Sequence, residues 1–204
     1  MANPFGKYDI QAEAQSVYCY AGTSVLKNRF GIRNAEILKQ LEADLSAVRQ
    51  NDMLLRPVAG RFTPYHLCRI HRYMFSDLYS FAGHYRRENI AKGHTRFLPC
   101  DRIGDTLRSL LDNLRSEQFL EDLPRSRFTE RCAYYFAELN YIHPFREGNG
   151  RATREFMRLL FLRNGYEVLW DAVEPSRLLS AMELSVFDSR ELTAVLRECL
   201  SRKE

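Results

Sequence analysis

HPFREGNGRATR, residues 143–154, closes one apolar helical run and opens another, and its reading decides the architecture. Ahead of it, Phe128, Cys132, Tyr135, Phe136, Leu139 and Ile142 recur at three- and four-residue steps, the spacing of one buried helix face. That helix, beginning at about Arg127, has to stop near Ile142, because the residue before a proline is pushed out of the α region. A second helix begins at about Arg151 and ends at Gly165, a suitable C′ glycine.

Working outward, the same spacing predicts further helices. One follows Asn34 as N-cap and carries Ile37, Leu38, Leu41, Leu45 and Val48 as its apolar stripe. A second opens at Thr63-Pro64, the favoured cap-then-proline order, with Leu67, Ile70, Met74, Phe75 and Leu78 on one side. A third is capped by Asp101 and carries Ile103, Leu107, Leu110, Leu111 and Leu114. Near the C-terminus, Asp188 and Glu191 suggest a capping box ahead of Leu192, Val195, Leu196 and Cys199. Residues 83–99 break the pattern, with short β-leaning pieces around Gly93-His94 that read as a small hairpin. The fold class is therefore all-α with one β-hairpin.

Composition narrows the functional classes. With 45% hydrophobic and 27% charged residues the chain is an ordinary globular protein, and its length suits a single domain over residues 1–204. A net charge of +4 permits a phosphate-rich ligand but is too weak to argue for direct nucleic-acid binding. No run approaches a membrane span, and the first residues, MANPFGKYDI, lack a charged-then-apolar signal. The five scattered cysteines form no C-x-x-C pair and read as reduced thiols. The expectation is a cytoplasmic protein without a membrane partner.

The quoted loop carries the chemistry. Gly148 and Gly150 allow backbone conformations in which successive amides point into one concavity, and the following helix N-terminus favours an anion. Arg151 and Arg154 stand one turn apart, and Arg158 extends the same face. Glu147 offers a hard oxygen to a Mg²⁺ shared with phosphates. His143 has an unperturbed pKa near neutrality and suits a general base. These parts match phosphoryl or nucleotidyl transfer, in which positioning and charge stabilisation dominate.

The stretch resembles the Fic (filamentation induced by cAMP) signature, H-P-F-x-[D/E]-G-N-G-R-x-x-R, and fills every specified position. FTPYHLCRIHRYMFSDLYSFAGHYRRENIAKGHTRF, residues 62–97, resembles the helix and flap of that family, and YAGTSVLKNRFGI, residues 20–32, the opening of compact bacterial Fic toxins. The resemblance covers roughly residues 20–200, with the active loop at 143–154 and the flap at about 85–98.

The resemblance implies a helical bundle with a hairpin flap over the active loop, and transfer of AMP from ATP to a target-protein hydroxyl. His143 would deprotonate that hydroxyl, and Phe145 would anchor the loop in the core. Glu147 would hold Mg²⁺ between the α- and β-phosphates. Gly148, Asn149 and Gly150 would form the anion nest, with the Asn149 side chain near the α-phosphate. Arg151 would serve the β-phosphate and Arg154 the γ-phosphate. Related death-on-curing toxins carry Lys in place of Gly150 and phosphorylate instead, so glycine here favours AMP transfer. Relatives that transfer UMP or phosphocholine stay open on sequence alone, as does a catalytically idle nucleotide-binding module.

In such proteins the flap pairs its backbone with an extended target segment, a strand addition. Ile90, Ala91 and Lys92 are the expected docking residues, with His94 and Arg96 beside them. Fic enzymes are commonly restrained by a helix bearing [S/T]-x-x-x-E-[G/N], whose glutamate pairs with the residue matching Arg154. Only Ser126–Glu130 has the spacing here, and Arg131 follows it in place of Gly or Asn. The resemblance therefore points to a toxin restrained by a separate small antitoxin that carries such a helix, bound near the N-terminal helices and reaching Arg154; an unrestrained enzyme and an inhibitory helix of unfamiliar sequence are the alternatives. By kinship the target would be a type II topoisomerase, DNA gyrase or topoisomerase IV. His66 and His71 lie five apart, not the spacing of a helical metal pair, and read as core or surface residues; Trp170, Tyr134 and Tyr135 read as packing.

Overall fold

The computed structural model describes residues 15–93 and 95–202 in full and the backbone of residues 9–10. Seven α-helices account for most of it: α1 Ala35–Leu55, α2 Pro64–Phe75, α3 Ile103–Ser116, α4 Arg125–Ile142, α5 Asn149–Arg163, α6 Pro175–Leu184 and α7 Arg190–Cys199. α4 packs against α3, α5, α6 and α7, and α2 joins α1 to α5. Its stripe from Phe128 to Ile142 is fully buried, as the spacing required, so α4 is the axis of the core.

Local chemistry sets several boundaries. Asn34 Oδ1 accepts the Glu36 and Ile37 N–H groups at 3.0 and 3.1 Å, and Thr63 Oγ1 accepts that of His66 at 3.3 Å, ahead of Pro64. α4 stops because His143 turns into the left-handed region at φ 46°, its N–H still bonded to the Leu139 carbonyl. Gly148 holds φ +78° at the entry to α5, where a Cβ would stand 2.4 Å from the Phe75 ring, so only glycine fits.

Four expectations are corrected. On α1, Ile37 and Val48 are 58% and 66% exposed, and the buried positions are Leu38, Ser46 and Met53. Asp101 does not cap α3; it lies inside a short 3₁₀ turn, Cys100–Arg102, that leads into the helix. The Asp188–Glu191 box does not form, because Asp188 accepts the Arg190 N–H and Glu191 pairs with Arg177. Of the tyrosine pair, Tyr135 is buried and hydrogen-bonded to Glu117, whereas Tyr134 stands at the surface.

The expected hairpin is present as β2 (Ile90–Lys92) and β3 (Thr95–Arg96), but it is part of a larger sheet. β1 (Asp9–Ile10) pairs antiparallel with β2, Asp9 opposite Ala91 and Ile10 opposite Ile90, giving the order β1-β2-β3. A second sheet, β4 (Tyr166–Val168) with β5 (Leu200–Arg202), fastens the end of α7 to the chain leaving α5. Neither this pair nor α6 is among the elements that the sequence pattern predicts. Among the described residues, no helix is long and apolar enough to cross a membrane.

Candidate active site

A cavity of about 470 Å³ opens where the end of α4, the start of α5, the flap and α6 converge. That volume suits a nucleotide-sized ligand. The active loop contributes His143, Gly148, Gly150, Arg151 and Arg154, and the flap contributes Lys92, Thr95 and Phe97. Leu179, Met182 and Val186 supply an apolar wall from α6 and the turn after it.

His143 owes its place to the end of α4. Its Nδ1 lies 3.0 Å from the Asn140 carbonyl, an acceptor only, so Nδ1 carries the proton and Nε2 the lone pair. The ring stacks on Phe97 at 3.8 Å, which holds its plane against the flap. A neutral, oriented imidazole whose Nε2 accepts a proton is the form a general base takes.

Between His143 and α5 the backbone is clamped from inside. Asn149 Oδ1 accepts the Phe145 N–H and its Nδ2 donates to the Phe145 carbonyl, both at 2.8 Å. Both ends of this amide are thus used within the loop, and Asn149 is 2% exposed. What Asn149 retains for an anion is the second Nδ2 hydrogen and its backbone N–H at the start of α5. Phe145 is buried and stacks on His71 at 3.8 Å. His71 Nε2 donates to the Glu147 carbonyl and Nδ1 accepts the Gly83 N–H, each at 2.8 Å. Burial in this network pushes the His71 pKa down to about 4, so the ring stays neutral near pH 7.

The charged groups divide into held and unheld. Arg151 donates to Ser46 Oγ at 2.8 Å and to the Glu42 carboxylate, and lies 4.7 Å over the Phe75 ring. Glu147 Oε1 accepts the Gly148 N–H at 2.9 Å and sits 3.7 Å from Arg151. Arg154 forms no ion pair among the described residues; its polar contact is Met182 Sδ at 3.7 Å. Burial, and then the neighbouring Arg151 charge, lowers its pKa from the usual guanidinium range. Arg158 does not join this face: it is bound by Glu155 and the Met53 carbonyl, outside the cavity.

Two features outside the loop bear on regulation and docking. Glu130 lies near the start of α4, paired with Arg127 and Arg197, roughly 20 Å along the helix from His143 at 1.5 Å per residue. It is no brake for Arg154. In the flap, Ile90 and Ala91 are buried, and the edge of β2 away from β3 is already paired with residues 9–10. The Lys92 ammonium instead forms a 2.5 Å ion pair with Glu183, tying the flap to α6 across the mouth of the cavity. His94 lies outside the described residues.

Sequence reasoning missed Glu42, Asn140 and the α6 wall. Pro175 followed by Leu178, Ala181 and Met182 at helical steps was the available signal for α6. Nothing local marks Glu42, whose partner Arg151 is over a hundred residues away.

Comparison with known proteins agrees with this geometry. Residues 61–161 match the profile of the Fic/DOC family. The chain is 34% identical over 202 residues to "Probable protein adenylyltransferase Fic" of Salmonella typhimurium, covering 98% of this chain and 97% of that one. Among solved structures it resembles BepC of Bartonella tribocorum with bound AMPPNP, with TM-score 0.82 and 25% identity over 92% of this chain and 97% of that one. It also resembles the N-terminal Fic domain of a Bartonella quintana effector with bound ADP, with TM-score 0.84 and 25% identity over 92% and 95% of the two chains. A complete signature loop, the fold around it and end-to-end similarity to a curated relative lead to one conclusion: the chain belongs to the Fic/DOC family.

Proposed function

We propose that the protein is an adenylyltransferase that moves AMP from ATP to a hydroxyl side chain of a target protein. The carrying observation is that His143, its proton fixed on Nδ1, lines the same cavity as Gly148, Gly150, Arg151 and Arg154. The target oxygen attacks the α-phosphorus, its proton passes to His143 Nε2, the bond from the α-phosphorus to the bridging oxygen breaks, and pyrophosphate leaves. The amides at the start of α5 and the Arg151 guanidinium stabilise the charge that develops, as fixed donors do in water-poor sites. Arg154, without an ion-pair partner among the described residues, is available to the γ-phosphate. The apolar wall of Leu179, Met182 and Val186 suits a nucleobase. Relatives named adenylyltransferases and neighbours holding AMPPNP and ADP support this assignment.

The residues fit Mg²⁺ as a shared ion, not a caged one. No cluster of three His, Cys, Asp or Glu that could hold a metal occurs among the described residues, and Glu147 supplies one carboxylate beside the nest. Mg²⁺ held by Glu147 would supply charge neutralisation for the phosphates. A single-domain cytoplasmic toxin with a separate antitoxin is the companion reading. It is supported by Arg154 having no carboxylate partner among the described residues and by the exposed apolar side chains Ile37, Val48, Leu54 and Leu55 on α1. A topoisomerase target rests on kinship alone.

The test is label transfer from ATP into bacterial lysate protein, comparing α- and γ-phosphate label for wild type and His143→Ala. Incorporation from the α position only, reduced about 10²–10⁴-fold or more in the variant, is expected for loss of a general base. Incorporation from the γ position would make the protein a kinase. ATP binding without transfer of either label would favour an idle nucleotide-binding module.

A further inference from the structure

Arg86, on the loop before β2, is 2% exposed and does not line the cavity, yet five of its hydrogen bonds converge on the backbone around the site. Its Nε donates to the His143 carbonyl at 2.9 Å, and its Nη2 to the Ile142 carbonyl at 3.3 Å. Its backbone N–H donates to the Pro144 carbonyl at 2.9 Å. Three successive carbonyls at the C-terminal end of α4 are thus collected by one residue. Such carbonyls lack intrahelical partners and carry the negative end of the helix dipole, so a cation is favoured there.

The same guanidinium reaches both roots of the flap. Nη1 donates to the Glu88 carbonyl at 2.8 Å, just before β2, and Nη2 to the Leu98 carbonyl, just after β3. Leu98 follows Phe97, the ring on which His143 stacks. Arg86 therefore fixes the backbone beneath His143 and the plate against its ring. His143 needs both, since its left-handed φ of 46° is costly for a residue with a side chain and persists only when the surroundings hold it. A planar fork of five donors suits this task; a lysine presents a single head.

We infer that Arg86 is the positioning residue of the active site, setting the conformation of His143 and its registry with the flap. The inference rests on the proposed role of His143 as general base. Its consequence is a separation of effects. Nucleotide binding depends on the α5 nest and the arginines that line the cavity, a lining to which Arg86 does not belong, whereas turnover depends on where His143 Nε2 points.

Arg86→Ala is expected to keep the affinity for Mg-ATP within about threefold while turnover falls about 10²-fold, the scale of a misplacement near 1 Å. Guanidinium ion at tens of millimolar is expected to restore part of that turnover, and urea at the same concentration none. Nitrogen NMR of His143 gives a readout independent of activity: a single Nδ1–H tautomer in wild type and a mixture in Arg86→Ala. If wild type transfers no label, the proposed reaction fails while the tautomer comparison still decides this inference. Should Arg86→Ala not fold, Arg86→Lys takes its place, expected to fold with lowered turnover and a mixed tautomer. Wild-type turnover or tautomer in a folded variant overturns the inference. So does parallel loss of ATP affinity and turnover, or failure of both variants to fold, because Arg86 would then serve folding alone.

Discussion

His71 shows how much of the site depends on residues that touch no substrate. Its ring joins α2, the Glu147 carbonyl, the Gly83 N–H and the Phe145 plate, and burial holds it neutral with a pKa near 4. The unfolded chain binds a proton on this residue below its usual pKa of 6.5, and the folded chain does so only near 4. Between those values the unfolded state holds more protons, so stability falls as pH drops through the window. The loss amounts to about 3 kcal/mol between pH 7 and 4. Denaturant titrations at both pH values, on wild type and His71→Gln, should show this loss in wild type and its absence in the variant. Equal pH dependence in the two would remove His71 as its source. The loop residues were legible because their chemistry is carried by a contiguous stretch. Asn149, Glu42 and Arg86 were not, since side-chain partners are set by packing across distant segments. A glycine-flanked asparagine reads equally as a phosphate ligand and as the loop clamp it forms here.

At the scale of elements, boundaries marked by local chemistry were readable, and surfaces set by neighbours were not. Asn34, Thr63-Pro64 and Gly165 announced helix ends. The 3.6-residue period of α1 gave a side but could not say what covers it, and Ile37 and Val48 face outward. Two-residue strands such as β1 give no periodic signal at all, yet β1 changes the reading of the flap. With β1 paired to β2, an extended target segment meets an edge already taken by the chain itself. Asp9→Pro with Ile10→Pro removes two successive N–H donors, one of which faces β2 whichever way the strand is phased. Amide exchange at Ile90–Lys92 should then rise, and label incorporation into lysate protein should increase several-fold. Unchanged exchange would mean that β1 does not guard this edge. Faster exchange with lower incorporation would make β1 part of the docking platform instead of a competitor for it.

Across the whole molecule, stability and function pull against each other at Arg154. The bundle closes its ionic contacts around the site, Arg151 with Glu42, Arg146 with Glu88 and Arg158 with Glu155, but leaves the Arg154 cation against a thioether. Desolvating a cation without a carboxylate opposes folding, and an unbranched apolar side chain of similar reach fits the same gap beside Met182. Arg154→Met should therefore stabilise the ligand-free protein by about 1 kcal/mol, as substitutions at functional sites commonly do. The gain from nucleotide should run the other way. ATP at a hundredfold excess over its dissociation constant adds about 2.7 kcal/mol to the stability of wild type. ADP, which lacks the phosphate that Arg154 is placed to meet, should add less at equal concentration. In Arg154→Met the difference between ATP and ADP should vanish while both still bind. Thermal melts of the two proteins, alone and with each Mg-nucleotide, measure all of these quantities. A variant less stable than wild type without ligand would show that the Arg154 cation contributes to the fold. A persisting preference for ATP would move the γ-phosphate to another group, with Arg151 the remaining guanidinium lining the cavity.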